Sequence, residues 1–165
     1  MQTPYRRKET YVKPKPDPYL TKEKFNELKN KLKRMKATHP HLSAEVKRLA
    51  EMGDFSENAG YQEAKRRLRS LNQRIMELET HLKTAIIFQP SKNTDKVNLG
   101  HRVMIESENK QKTYQILGGT ETNPAAGIIS HNSPLGAALM GHQVGDIIKI
   151  KLANREKVFK IIKIT

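Results

Sequence analysis

The sequence predicts an α+β chain: a long antiparallel helical hairpin in front, a small α+β domain behind. Three observations lead there. Tyr61, Ala64, Leu68, Leu71, Ile75, Leu78, Leu82 and Ala85 recur at alternating three- and four-residue steps, the heptad seam of a coiled coil. Phe25, Leu28, Leu32 and Met35, then Leu42, Val46, Leu49 and Met52, carry a matching pattern upstream. Beyond Gln89-Pro90-Ser91-Lys92-Asn93-Thr94-Asp95 the apolar period changes to two, which is the mark of strands.

Composition narrows the partners. Across 165 residues, 31 Lys+Arg stand against 17 Asp+Glu, a formal net charge of +14, which favours a polyanion such as nucleic acid or a nucleoprotein machine. Cysteine is absent, which excludes disulfides, thiolate zinc sites and a cysteine nucleophile. No apolar run is long enough to span a bilayer, and the basic start has no apolar stretch behind it, so no membrane partner and a cytoplasmic location are expected.

Taken in order, residues 1–19 hold Pro4, Pro14, Pro16 and Pro18 among basic side chains and read as a disordered basic tail. Residues 20–88 form the hairpin, with its turn at 53–58. Pro40 is expected to kink the first helix or to start a new segment, with His39 packing at the kink. The second seam is narrow and flanked by polar residues, so it needs a partner, and the preceding helix is the nearest. Arms of about 30 residues would reach roughly 45 Å, more than a compact domain needs. Residues 89–98 read as a linker and 99–165 as the second domain. There Val103 and Ile105 alternate with polar neighbours, as do Ile148, Ile150 and Leu152, and Val158 to Ile164 pairs back across Ala153-Asn154. Lys112 to Leu117 and Gly127 to Ser130 are further strands. Ser133 caps one short helix, Pro134 opens it and Gly141 closes it.

The turn Gly53-Asp54-Phe55-Ser56-Glu57-Asn58 places two carboxylates at the far end of a basic stalk. Two explanations compete. Asp54 as N-cap with Glu57 at the third helical position is an acidic capping box, and such caps are worth ~1 kcal/mol. Alternatively, both carboxylates face one side and ligate a hard cation such as Mg²⁺. Octahedral Mg²⁺ cannot be held by two side chains alone, so the tip would complete a site supplied by another macromolecule. In a two-metal phosphodiester site such a donation would recruit the second ion and the attacking water. Lys65, Arg66, Arg67 and Arg69 follow within a few turns, either as a solvated flank or as RNA phosphate contacts beside that site.

Gly53-Asp54-Phe55-Ser56-Glu57-Asn58-Ala59-Gly60-Tyr61 resembles the acidic tip of the Gre family of bacterial transcript-cleavage factors. Ser133-Pro134-Leu135-Gly136-Ala137-Ala138-Leu139-Met140-Gly141 with Val144-Gly145-Asp146 is similar to that family's C-terminal signature, so the resemblance covers about residues 20–165. The basic run Lys65-Arg66-Arg67-Leu68-Arg69 looks more like the GreB form than the less basic GreA form.

The resemblance implies a coiled-coil hairpin and an FKBP-like C-terminal domain. It implies a monomer that docks at the secondary channel of bacterial RNA polymerase and inserts its hairpin. Asp54 and Glu57 would then help position the polymerase's catalytic Mg²⁺ and a water, with Ser56 orienting one acid. The polymerase would cleave the 3′ end of backtracked nascent RNA, and this chain would be an accessory factor with no cofactor of its own. Gly60 stands where the family commonly carries an acid. Few aromatics are present, so FKBP fold without isomerase chemistry is expected. Two other readings compete: a channel-binding regulator or inhibitor that does not stimulate cleavage, and a coiled-coil RNA- or DNA-binding module whose acidic turn is only a cap.

Overall fold

A computed structural model of the chain describes residues 16–52, 59–152 and 155–165. Its first two helices, α1 (Lys22–Glu51) and α2 (Ala59–Thr84), run antiparallel and pack along the expected seams. At 1.5 Å per residue they span roughly 45 and 39 Å. Thr21 caps α1: its hydroxyl accepts the N–H of Lys24 at 3.2 Å, satisfying one of the donors a helix start leaves orphaned. A two-helix pair covers each seam from one side only. Leu28 and Ala64 are therefore buried, whereas Leu32, Leu42, Leu68, Leu71, Ile75 and Leu78 are half-buried. An ion pair between Lys36 and Glu79 ties the helices at mid-length.

No new segment starts at Pro40. α1 continues through it, with Pro40 exposed and His39 half-buried. The reason is periodicity: Met35, His39 and Leu42 are spaced four and three, so His39 occupies the seam position that a breaker would have interrupted. The lost backbone hydrogen bond lies on the solvent side of the helix.

The base of the hairpin is closed by two short strands. β1 (Tyr19–Leu20) and β2 (Ile86–Ile87) pair in parallel, and Leu20 is fully buried. The boundary of the tail therefore moves. Residues 17–19 are tied into the fold: the carbonyl of Pro18 accepts the N–H of Ile86 at 2.7 Å, and Asp17 bonds to several groups described below. Residues 1–15 lie outside the described residues. The segment read as a linker is also docked. Val97 belongs to the core of the second domain. His101, 1% exposed, accepts the N–H of Asn98 at Nδ1, which places its own proton on Nε2 for the carbonyl of Ser91, 3.0 Å away.

The second domain is a five-stranded sheet in the order β5-β4-β3-β7-β6, made of β3 (Arg102–Ser107), β4 (Lys110–Leu117), β5 (Ile128–Ser130), β6 (Ile147–Leu152) and β7 (Arg155–Ile164). All neighbours are antiparallel except β4 and β5. The β3–β4 turn uses Glu108 and Asn109 at φ 52° and 60°, the left-handed pair that matches strand twist in a tight hairpin. One face is apolar. Val103, Ile105, Ile116, Ile129, Ile148, Ile150, Ile161 and Ile164 bury there together with Leu139 of α3 (Pro134–Leu139). The α+β architecture predicted from the sequence is the one observed, and the expected strands at 112–117 and 127–130 appear as β4 and β5. The Ala153-Asn154 turn lies outside the described residues, but β6 and β7 pair up to Leu152 and Arg155 on either side of it.

Candidate functional site

The site begins with delivery. α1 ends at Glu51 and α2 starts at Ala59, both at the end of the stalk remote from the β1–β2 clamp. Asp54, Ser56 and Glu57 lie outside the described residues. The first described turn of α2 carries no acid, Gly60 included.

The four cations behind the tip do not form one patch. On α2, Lys65 and Arg69 are four residues apart and share one flank of the seam, while Arg67 and Arg74, seven apart, share the opposite flank. On that second flank Glu63 gathers two arginines. Arg66 donates from Nε at 2.8 Å and from Nη2 at 3.0 Å, and Arg67 donates from Nε at 2.8 Å. The Arg66 bonds and then the Arg67 bond lower the Glu63 carboxyl to about 2, and Arg66 is raised in turn by its bonds to Glu63. Lys65 instead lies over the ring of Tyr61, 5.4 Å from its centroid. Arg69 and Arg74 make no ion pair among the described residues.

Leu42 of α1 meets Glu63, Arg66, Arg67, Ser70, Leu71 and Arg74 along an open groove beside the forked arginines. Glu63, Ser70 and Arg74 were not singled out from the sequence. The signal for Glu63 was present, an acid three and four residues before two arginines on a helix. Arg74 lies beyond the dense basic run, and nothing local to it marks it out.

The C-terminal signature has a structural task. The Ser133 hydroxyl donates to the carbonyl of Ser130 at 2.6 Å and accepts the N–H of Gly136 at 3.0 Å, capping α3 and fastening it to the end of β5. A Cβ on Gly136 would collide with the Ser130 carbonyl oxygen, so close approach of helix and strand requires glycine there. In Val144-Gly145-Asp146 the turn into β6 is held by Asp146, whose carboxylate accepts the N–H of Gln143 at 2.8 Å and contacts His142 Nδ1 at 2.9 Å. Those two partners, the backbone first, lower the Asp146 carboxyl below its ordinary range.

Comparison with known families then decides the identity. The family model described as "Transcription elongation factor, N-terminal" matches residues 18–87, and "Transcription elongation factor, GreA/GreB, C-term" matches residues 91–165. The chain belongs to the GreA/GreB family. Among curated relatives, transcription elongation factor GreA of Nautilia profundicola is 35% identical over 88% of this chain and 92% of its own length. GreA of Thermotoga neapolitana is 34% identical over 88% of this chain and 96% of its own. GreA factor homolog 1 of Thermus thermophilus is 26% identical, covering 90% of this chain and 99% of that one, with a TM-score of 0.43.

Two of the relatives named here are GreA proteins and the third is a GreA factor homolog. The fork on Glu63 matches two of the four cations with an acid of the same helix. No described helix is long and apolar enough to cross a membrane.

Proposed function

We propose that this elongation factor acts on RNA polymerase as an accessory protein, by inserting the hairpin into the secondary channel and stimulating cleavage of backtracked RNA 3′ ends. One observation carries the reading. Two antiparallel helices of roughly 45 and 39 Å, packed along a narrow seam, flank in sequence the segment that carries Asp54 and Glu57. Nothing in the packing of either module requires an arm of that length. The sheet domain is the docking module and the hairpin is the probe.

Asp54 and Glu57 are the groups that would hold Mg²⁺ jointly with the polymerase, and Ser56 would orient one of them. The donor chemistry fits: two carboxylates suit a hard, oxygen-seeking cation and fall short of its six ligands, which matches a shared site. When bound, Mg²⁺ supplies charge stabilisation for phosphodiester hydrolysis. Lys65 and Arg69, on the flank free of Glu63, are the cations best placed to contact the RNA backbone, with Arg66 and Arg67 restrained by their fork.

The test follows RNA length in a purified backtracked elongation complex with Mg²⁺. Wild type is expected to shorten the RNA. Asp54→Asn is expected to bind the polymerase yet lose roughly two orders of magnitude in stimulated rate, the usual cost of removing one electrostatic group from a reacting site. Binding without shortening by wild type would favour a channel-occupying inhibitor. Shortening by both proteins would leave Asp54 as a helix cap.

A further inference from the structure

We propose that Asp17 is a positioning residue that sets the bearing of the hairpin on the sheet domain; the functional consequence, though not the structural claim, rests on the proposed function. Its side chain is 6% exposed, although it lies before the first helix in a proline-rich segment. Oδ2 accepts the N–H of Gly119 at 2.8 Å and the side-chain amide of Asn132 at 3.4 Å, and Nδ1 of His131 lies 3.3 Å away. All three partners belong to the sheet domain. Oδ1 accepts the N–H of Tyr19 at 3.1 Å. The backbone carbonyl of the same residue faces the other module. It contacts Nε2 of His81 at 3.0 Å, in the last turn of α2. A carbonyl only accepts, so His81 supplies the proton.

Asp17 thus bonds to the sheet domain with its side chain and to the stalk with its main chain. The residues that follow reinforce the connection. The Tyr19 ring stands edge-on to His131 with centroids 5.6 Å apart, and the Tyr19 carbonyl fills the space a Cβ on Gly118 would need. Thr21, the cap of α1, gives its N–H and its hydroxyl to the Glu121 carboxylate at 2.8 and 2.7 Å. A carboxylate suits position 17 because its oxygens accept while the N–H groups of Gly119 and Tyr19 and the Asn132 amide donate.

Leverage makes the clasp matter. A 10° change of bearing at the base of a roughly 45 Å arm carries its tip about 8 Å. Groups that position a reacting atom lose much of their effect at misplacements near 1 Å. A loose base would therefore leave the tip in the correct place only part of the time, raising the concentration of factor needed for half-maximal effect.

The absence of native cysteine makes the test clean. Spin labels on Asn72→Cys in the stalk and Lys112→Cys in the sheet, both exposed sites, report the stalk-to-sheet distance in the full chain by pulsed electron resonance. The parent is expected to give one narrow distribution, and Asp17→Ala a distribution broadened or shifted by several ångströms, with helix and strand content retained by circular dichroism. A parent-like distribution in Asp17→Ala overturns the proposal. Should the alanine variant not fold, Asp17→Asn carries the test: a broadened distribution supports the clasp and a parent-like one overturns it. In the cleavage assay, Asp17→Ala is expected to need several-fold more protein for half-maximal stimulation while reaching the parent's rate at saturation. An unchanged concentration dependence despite broadened distances would overturn the positioning role. A broadened distribution in a protein whose parent stimulates no cleavage would uphold the clasp and refute the proposed function instead.

Discussion

Glu63 holds Arg66 in a two-point fork on the solvent-exposed flank of α2, Nε to Oε2 at 2.8 Å and Nη2 to Oε1 at 3.0 Å. With Arg67 also bound to Oε1, one acid partly masks two of the four cations behind the tip. Release of both arginines should be visible in how binding responds to salt. Glu63→Ala is expected to tighten binding of the isolated protein to single-stranded RNA at low salt. It should also steepen the dependence of log K on log salt by up to about 1.4, at ~0.7 for each additional phosphate neutralised. Fluorescence anisotropy over a salt series measures both. An unchanged slope would mean that Arg66 and Arg67 reach phosphates regardless of Glu63.

The same fork predicts a pH response. The Glu63 carboxyl titrates at about 2 in the folded chain against an ordinary 4.5, Arg66 being the larger cause and Arg67 the second. Because the folded value is the lower one, any stabilisation from the fork is complete above pH 4.5 and is lost as pH falls through 2. The group is fully exposed, so the effect is to be sought locally. Carbon-detected magnetic resonance should place the Glu63 midpoint near 2 and return it toward 4.5 when Arg66 and Arg67 are both alanine. A parent midpoint already near 4.5 would contradict the fork.

Pro40 sits exposed inside an unbroken helix and leaves the carbonyl of Lys36 without its helical donor. Pro40→Ala restores that bond and removes the ring from the turn before it. It is expected to stabilise the hairpin by up to ~3 kcal/mol, read as a higher melting temperature in far-ultraviolet circular dichroism. A lower melting temperature would show that proline's restriction of the unfolded chain outweighs the missing bond.

The seams inform, and the helix runs on through Pro40, for one physical reason. Heptad spacing is a local, repeated signal, so Tyr61 to Ala85 is legible without a fold. At His39 the same spacing continues through a polar residue next to a breaker, and from sequence the breaker outweighs the spacing. The strands are legible because alternation such as Val103 and Ile105 is also local. The clamp is not: Tyr19 pairs with Ile86 over two-residue strands, too short for any period to show. Asp17 is hidden for a related reason, since its value comes from Gly119, His131 and Asn132, more than a hundred residues away along the chain. The basic run is legible as charge, but its division between two flanks becomes evident only once the helix is wound. The acidic tip, the strongest functional signal in the sequence, lies outside the described residues.

The most direct test of a donated Mg²⁺ ligand varies Mg²⁺ in the backtracked elongation complex. The rate of RNA shortening is measured with saturating wild type, with Asp54→Asn, and with no factor. If Asp54 is a ligand offered to the polymerase, wild type lowers the Mg²⁺ concentration needed for half-maximal rate. Asp54→Asn, still bound, returns that concentration toward the factor-free value. An Asp54→Asn curve that overlays the wild-type curve would contradict the donation and reduce the acidic turn to a helix cap.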